Sequence, residues 1–345
     1  MATIPTGTPD ASRRGCQGDE STRGHTSRVF LIHPRMGDSV IEGSTNFACP
    51  ICETHRLNDY IVVGRGSAPG GVKNFPVLRC RRHGVEFADA PPLPVSDDDR
   101  RASLDCLYGT SMEPEFRYVD FMDRVEAVVG RQPGGLLHDV GCGNGQLLFE
   151  ARRRGWRVQG NDVVSVVRSH IERNGIRCLI GNLSELDLEP ESCDVVTSFC
   201  VLPHHLTNPT QDMQAVERIL KPGGWFVLQF PANGLFRRVG KLVYRMYWPW
   251  RPSAFSRFIL ANLYEPGGHQ FAYTHRNLAE YLRACGFGEV AFAPYYPALR
   301  FTLARFHARP LWFRAGAFLA VALLRLAAQT FRLPNHAIAY ARKAS

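Results

Sequence analysis

The segment Leu136-Leu-His-Asp-Val-Gly-Cys-Gly-Asn-Gly145 constrains this chain more than any other. It reads as a short apolar strand that runs into a loop of small residues, with a helix over Gln146 to Arg154 behind it. A second strand, Arg157-Val-Gln-Gly160, then leads to Asp162, 23 residues after Asp139. Strand, glycine loop, helix, strand and acidic tip make a βαβ unit. In such a unit, small residues let the backbone approach a ligand, and the acid ending the second strand accepts ribose hydroxyls. The spacing is Gly141-x-Gly143-x-Gly145 rather than GxGxxG, and a carboxylate, Asp139, precedes the loop. That carboxylate would repel a pyrophosphate but suits an ammonium group, while the helix N-terminus suits a carboxylate. A ligand with an amino-acid end, a ribose and a base meets both requirements.

Three later segments extend the pattern. Cys193-Asp-Val-Val-Thr-Ser-Phe199 reads as the fourth strand, and Arg218-Ile-Leu-Lys-Pro-Gly-Gly-Trp-Phe-Val-Leu228 as a turn and fifth strand. Arg177-Cys-Leu-Ile180 lies between them and Asp162 as the third strand. With the Asp139–Gly145 loop and Asp162, these segments resemble the class I S-adenosylmethionine-dependent methyltransferases over roughly residues 136 to 300. The resemblance implies an α/β fold: a Rossmann-like, seven-stranded, mostly parallel sheet with helices on both faces. The last two strands are expected near Glu289–Phe292 and Ala337–Ala341.

The resemblance also implies a site. Asp139, Gly141, Cys142, Gly143, Asn144 and Gly145 would hold the methionine end of the cofactor, and Asp162 with Val163 the ribose. Asn182 stands where the family usually has an aspartate for the adenine amino group; its amide oxygen can accept the same bond. Phe199 opens the segment Phe199-Cys-Val-Leu-Pro-His204-His205-Leu-Thr-Asn-Pro209, which faces the cofactor's methyl in this architecture. A hydroxyl acceptor needs a base near pKa 7, which histidine supplies. His205 leads as candidate, counted back from Asn208-Pro209, with His204 beside it. His269, in the acceptor lid expected at 231–274, is a further candidate. Capping or packing remains the alternative for each.

Upstream, Cys49-Pro-Ile-Cys52 and Cys80-Arg-Arg-His83 are two ligand pairs of equal spacing separated by 27 residues. Two such knuckles can close on one tetrahedral zinc as a Cys3His site, with His55 as a competing ligand. Four protein ligands leave no open coordination position, so this zinc would be structural. The module, residues 45–95, resembles the small zinc ribbons at the N-termini of some methyltransferases of glycan and natural-product pathways, whose second knuckle is usually Cys-x2-Cys. Residues 1–44 are polar and aperiodic, which reads as a disordered leader. Residues 96–135 read as linker and helical preamble, and 136–345 as the methyltransferase domain.

The 345 residues carry ten scattered cysteines and a formal net charge of +9. Scattered cysteines within apolar segments act as small core residues, so no disulfide framework is expected, and the N-terminus has no secretory pattern. A cytoplasmic enzyme is the expectation. The apolar stretch 309–332 reads as helix, but its uncharged run, Ala315 to Leu324, is ten residues, short of the about 20 needed to span a bilayer. Core packing is its default role; its arginines leave contact with anionic lipid as the alternative. The acceptor is expected to be a small molecule, sugar or lipid-linked intermediate methylated at a hydroxyl, with methylation at carbon of a deoxysugar as a variant. An RNA base methyltransferase and a non-catalytic binding module are the rivals, nucleic acid being the less favoured partner.

Overall fold

The computed structural model describes residues 45, 47–67, 73–89, 116–204, 209–232, 234–235, 238–239, 242, 270–296 and 310–345. The leader, most of the lid, His205 and His269 lie outside them.

The larger sheet has seven strands: β4 (Leu136–Val140), β5 (Arg157–Asp162), β6 (Arg177–Ile180), β7 (Cys193–Phe199), β8 (Leu220–Pro231), β10 (Phe287–Tyr295) and β11 (His336–Lys343). Their order is β10-β11-β8-β7-β4-β5-β6. Strands β4 to β8 run parallel, and β11 lies antiparallel between β8 and β10. The strands are apolar on both sides because helices cover both faces, as parallel strands require. One face packs α1 (Phe116–Val129), α2 (Gln146–Arg153) and α3 (Arg168–Arg173) through Phe121, Met122, Leu148 and Ile171. The opposite face packs α4 (Pro209–Ile219) and α5 (His275–Ala284) through Met213, Val216, Leu278 and Leu282.

The chain runs outward from β4 through β5 to β6, then returns to place β7 on the other side of β4. That reversal opens a crevice at the carboxyl ends of β4 and β7, where ligands of such sheets bind.

Helix α1, the expected preamble, is clamped to the sheet by charge. Arg154, at the end of α2, donates to Glu150 Oε1 at 2.7 Å, to Asp123 Oδ1 at 2.7 Å and to Glu126 Oε2 at 3.2 Å. Trp156 Nε1 donates to the other Glu126 oxygen at 3.1 Å.

The N-terminal module is a second, antiparallel sheet of β1 (Tyr60–Ser67), β2 (Lys73–Cys80) and β3 (Glu86–Ala88). A fourth strand, β9 (Phe271–Ala272), completes it from the far end of the segment expected to be the lid, pairing Phe87 with Phe271 and Glu86 with Ala272. The next residue, Tyr273, bridges to Ala232 just beyond β8. Phe47, Cys49, Tyr60, Leu78, Val85 and Phe87 accordingly share one apolar cluster with Phe230, Phe271 and Tyr281. The module is packed into the body of the protein rather than strung before it.

The apolar segment near the C-terminus departs from the core-packing default. It forms α6 (Leu311–Thr330), 20 residues long, of which Ala328 alone is buried. By length and composition it could cross a membrane. The ten-residue uncharged run understated it because Arg314 and Arg325 lie within the helix, not at its ends.

Candidate active site and metal centre

At the crevice, the loop after β4 turns through Gly141, Gly143 and Gly145, all with positive φ. A side chain at Gly160, beneath the loop on β5, would place a Cβ 2.9 Å from the Asp139 carbonyl oxygen and 2.9 Å from Cys142 Cβ. Loop and strand can therefore approach this closely only with glycine there. Helix α2 starts from Gly145, which offers no side-chain cap, so the positive end of the helix faces the crevice.

Two buried carboxylates flank the loop. Asp162 accepts from Gly143 N and from Val164 N, each at 2.9 Å, one on each oxygen. A carboxylate oxygen can accept more than one donor, so these backbone bonds are compatible with a hydroxyl donor at the same group. Asp139 Oδ1 accepts from Thr197 Oγ1 at 2.7 Å, across the β4–β7 register that sets the two residues side by side. Burial pushes the Asp139 carboxyl up to about 8; the Thr197 hydroxyl opposes the shift and nearby Asp162 adds to it. A cation beside Asp139 would restore its charge. His138, the neighbour on β4, points to the other side of the sheet, where its Nε2–H donates to Asn161 Oδ1 at 2.9 Å. Burial lowers its pKa to about 4, so it is a neutral structural group.

Other expected site residues fall in varied places. Asn144 is half-buried in the loop, and Val163 is 50% exposed beside Asp162, an apolar surface open to a base. The Cys142 side chain turns inward, its Sγ 4.0 Å from Cys178 Sγ, leaving only its backbone to the crevice. The Phe199 ring packs against Tyr118, Phe121 and Tyr295 at centroid distances of 5.2, 5.1 and 6.1 Å. Asn182 caps a 3-10 turn, reciprocating with Glu185 in a capping box and donating from Nδ2 to Glu185 Oε1 at 3.0 Å. The sequence signature for this was present as Asn182-x-x-Glu185. His204 ends a short turn after β7 and is exposed.

Two residues at this edge escaped the sequence reading. Thr197 holds Asp139 in place, which only the strand register reveals. His336 opens β11 at the same edge, its Nδ1 accepting from Gln229 Nε2 at 2.9 Å.

The second cluster lies in the module. Ligand atoms of Cys49, Cys52, Cys80 and His83 lie within 4.8 Å of one another. His83 Nδ1 is 3.6 Å from Cys49 Sγ and 3.7 Å from Cys80 Sγ; Cys52 and Cys80 sulfurs are 3.8 Å apart. Four donors around a metal at ~2.3 Å sit ~3.8 Å apart at the edges of the tetrahedron. Such a set could hold a metal ion. The far nitrogen of His83, Nε2, lies 3.6 Å from Glu280 on α5. His55 stands apart, bonded through Nδ1 to the Thr45 carbonyl at 3.1 Å.

Residues 138–228, which carry the loop, both carboxylates and β7, match the methyltransferase domain family. This segment is a class I S-adenosylmethionine-dependent methyltransferase domain. Among curated relatives of the methyltransferase domain is a ubiquinone biosynthesis O-methyltransferase of Hahella chejuensis, 38% identical over 114 residues, or 30% of this chain and 45% of the relative. Another, from Chromobacterium violaceum, is 32% identical over 116 residues, or 31% of this chain and 47% of the relative. The chain thus spans about half the length of these relatives. Similar solved structures include phosphoethanolamine N-methyltransferase 2 of Haemonchus contortus with S-adenosyl-L-methionine, at 17% identity and TM-score 0.46, covering 79% of this chain and 64% of that one.

Proposed function

We propose that the protein methylates a hydroxyl of a small-molecule, sugar or lipid-linked acceptor with S-adenosylmethionine. The carrying observation is the pair of buried carboxylates at the strand-order reversal, Asp139 and Asp162, with the glycine loop between them. S-adenosylmethionine supplies a methyl group on a sulfonium, which leaves as a neutral thioether. In this reading Asp139 pairs with the ammonium group, and the open start of α2 receives the carboxylate. Asp162 accepts the two ribose hydroxyls, while Val163 and Asn182 border the adenine. Gly141, Gly143, Asn144 and Gly145 contribute backbone, as does Cys142. Phe199, engaged with the α1 aromatics, walls the site rather than stacking on the ligand.

With so favourable a leaving group, alignment of the acceptor is the main task. As the acceptor oxygen attacks the methyl carbon, its proton passes to a base, for which His205, His204 and His269 are the candidates. The relatives' names, O-methyltransferases, favour oxygen as the acceptor atom. Incubation with labelled cofactor and fractions of small molecules, lipids and RNA tests the reading; label in no fraction, with no cofactor bound, would leave a non-catalytic domain.

The Cys3His cluster fits a structural zinc by donor type and spacing. Glu280, 3.6 Å from His83 Nε2, stands on the side where a ligating histidine usually has its outer carboxylate partner. Its place is mechanical: the first knuckle's Pro50 carbonyl accepts from Thr210 Oγ1 at 2.9 Å, at the start of α4, which follows the segment of His204 and His205.

A second reading rests on one feature. A groove of about 440 Å³ between the module and α5 is lined by Arg79, Arg81, Arg82 and Arg276 together with Glu86 and Glu280, Arg79 being paired with Glu86 at 2.8 Å, so that its basic residues outnumber its acids. It suits a phosphate backbone, and RNA binding that falls steeply with salt would favour an RNA acceptor.

A further inference from the structure

We infer that α6 seats this protein on an anionic phospholipid surface, lying in the plane of the bilayer, with the methyltransferase crevice opening toward that surface. Three observations converge on it.

The first is the orientation of the helix. Residues 313, 317, 321, 322, 324, 325, 327 and 328 are the less exposed positions, and 313, 317, 321, 324 and 328 among them, spaced by three and four, form the stripe that faces the protein. The opposite side presents Leu311, Trp312, Leu319, Leu323 and Leu326, from 56% to 79% exposed. A helix packed on a soluble domain turns its polar side outward. This one turns leucines and a tryptophan outward.

The second is charge. From residue 290 to the C-terminus the sequence holds seven arginines and one lysine and no aspartate or glutamate. Within α6 itself, Arg314 and Arg325 are 11 residues apart, about three helical turns, and so share one margin of the apolar face; Arg314 is exposed there, while Arg325 is half-buried with its guanidinium over the Tyr296 ring. A hydrophobic strip bordered by arginine matches the boundary of lipid tails and anionic headgroups. A second copy of the chain is the poorer occupant, since a two-fold contact would set these arginines against each other with no acid in that region to relieve them.

The third is tethering. The C-terminal end of α6 is fixed at the carboxyl edge of the large sheet: Leu333 N donates to the Ala328 carbonyl, Leu235 N to the Leu333 carbonyl, and Ala232 N to the Asn335 carbonyl. Its N-terminal end follows from Tyr296, beside the residue that pairs with His336 across β10 and β11. Were α6 to cross the bilayer, its far end would sit about 30 Å away. Residues 297–309 would then return through hydrocarbon carrying Arg300, Arg305 and Arg309. Lying flat avoids that cost. Because β10 ends and β11 begins at the edge that carries Asp139 and the loop, the surface contacted by α6 adjoins the crevice. This narrows the acceptor to one borne by the bilayer, a step that rests on the methyltransferase reading; the docking does not.

The test is flotation of the full chain with vesicles of phosphatidylcholine, with and without phosphatidylglycerol. Wild type should float with the anionic vesicles and far less with neutral ones. Leu319→Glu with Leu323→Glu should lower the bound fraction about tenfold or more, and Arg314→Glu should lower it on anionic vesicles alone. Calorimetric titration with S-adenosylmethionine runs alongside and should give equal affinity for all variants, showing that the fold is intact. Equal flotation of wild type and the double variant overturns the proposal, as does a stable dimer by light scattering that leaves no vesicle binding. Vesicle binding without cofactor binding would keep the docking surface and remove the methyltransferase reading.

Discussion

At the scale of single residues, the two carboxylates make separable predictions. Asp162→Ala should weaken S-adenosylmethionine binding by about 1.5 to 3 kcal/mol, the range for hydrogen bonds to a charged group. Calorimetry giving wild-type affinity would remove Asp162 from the ribose. Asp139, pushed up to about 8 by burial, holds a proton at neutral pH in the cofactor-free protein. A cationic ligand favours its carboxylate, so affinity should rise with pH toward about 8 with release of a proton, and Asp139→Asn should flatten that slope. For the cofactor-free fold the sign reverses. A raised carboxyl pKa gives a contribution present in full below the ordinary 3.8 and lost as pH climbs through about 8. His138, lowered to about 4, acts oppositely: its contribution is present above 6.5 and lost as pH falls toward 4. Thermal melts across pH, with His138→Gln as control, separate the two. Of these residues Asp139 and Asp162 were legible in the sequence, because spacing along one βαβ unit fixes them. Thr197 was not, since its pairing with Asp139 depends on which strand returns beside β4.

At the scale of elements, the sequence located strands and helices well wherever one element closes its own pattern. The β6 and β7 boundaries coincide with the segments read from it, and the β5 and α2 starts with the expected residues. It could not show that α6 faces outward, because a stripe of leucines looks the same whether it meets core or lipid. Nor could it show the clamp between α1 and α2. Glu126 and Glu150 side chains are 9% and 10% exposed and both pair with Arg154. Arg154→Ala would leave Glu150 buried without this cation and Glu126 with only the exposed Arg131 beside it, and should cost about 3 to 5 kcal/mol in chemical denaturation. A loss below 1 kcal/mol, about that of a surface ion pair, would mean that water reaches the acids.

At the scale of the whole molecule, the module and the methyltransferase domain behave as one body. The two knuckles could be read as a metal site from spacing alone, but the spacing suggested a separate unit. The shared apolar cluster and the β3–β9 pairing say otherwise. Cys49→Ser or Cys80→Ser should therefore remove zinc and lower the melting temperature of the entire chain in one transition, and metal analysis of the wild type should find about one zinc per chain. A two-step melt in which the large sheet keeps its original midpoint would restore the picture of an independent module.

The β3–β9 pairing also sets a timetable for synthesis. Phe271 leaves the ribosome 184 residues after Phe87, its partner in the ladder. At ribosomal speeds that gap lasts roughly 10 to 40 s. Throughout it β3 is an open strand edge, and the rings of Phe47 and Phe87 lack the neighbour that later packs against both. Newborn chains must be kept apart during that interval. Codon changes that slow translation between residues 88 and 271 should lengthen it and lower soluble yield without altering one amino acid of the product.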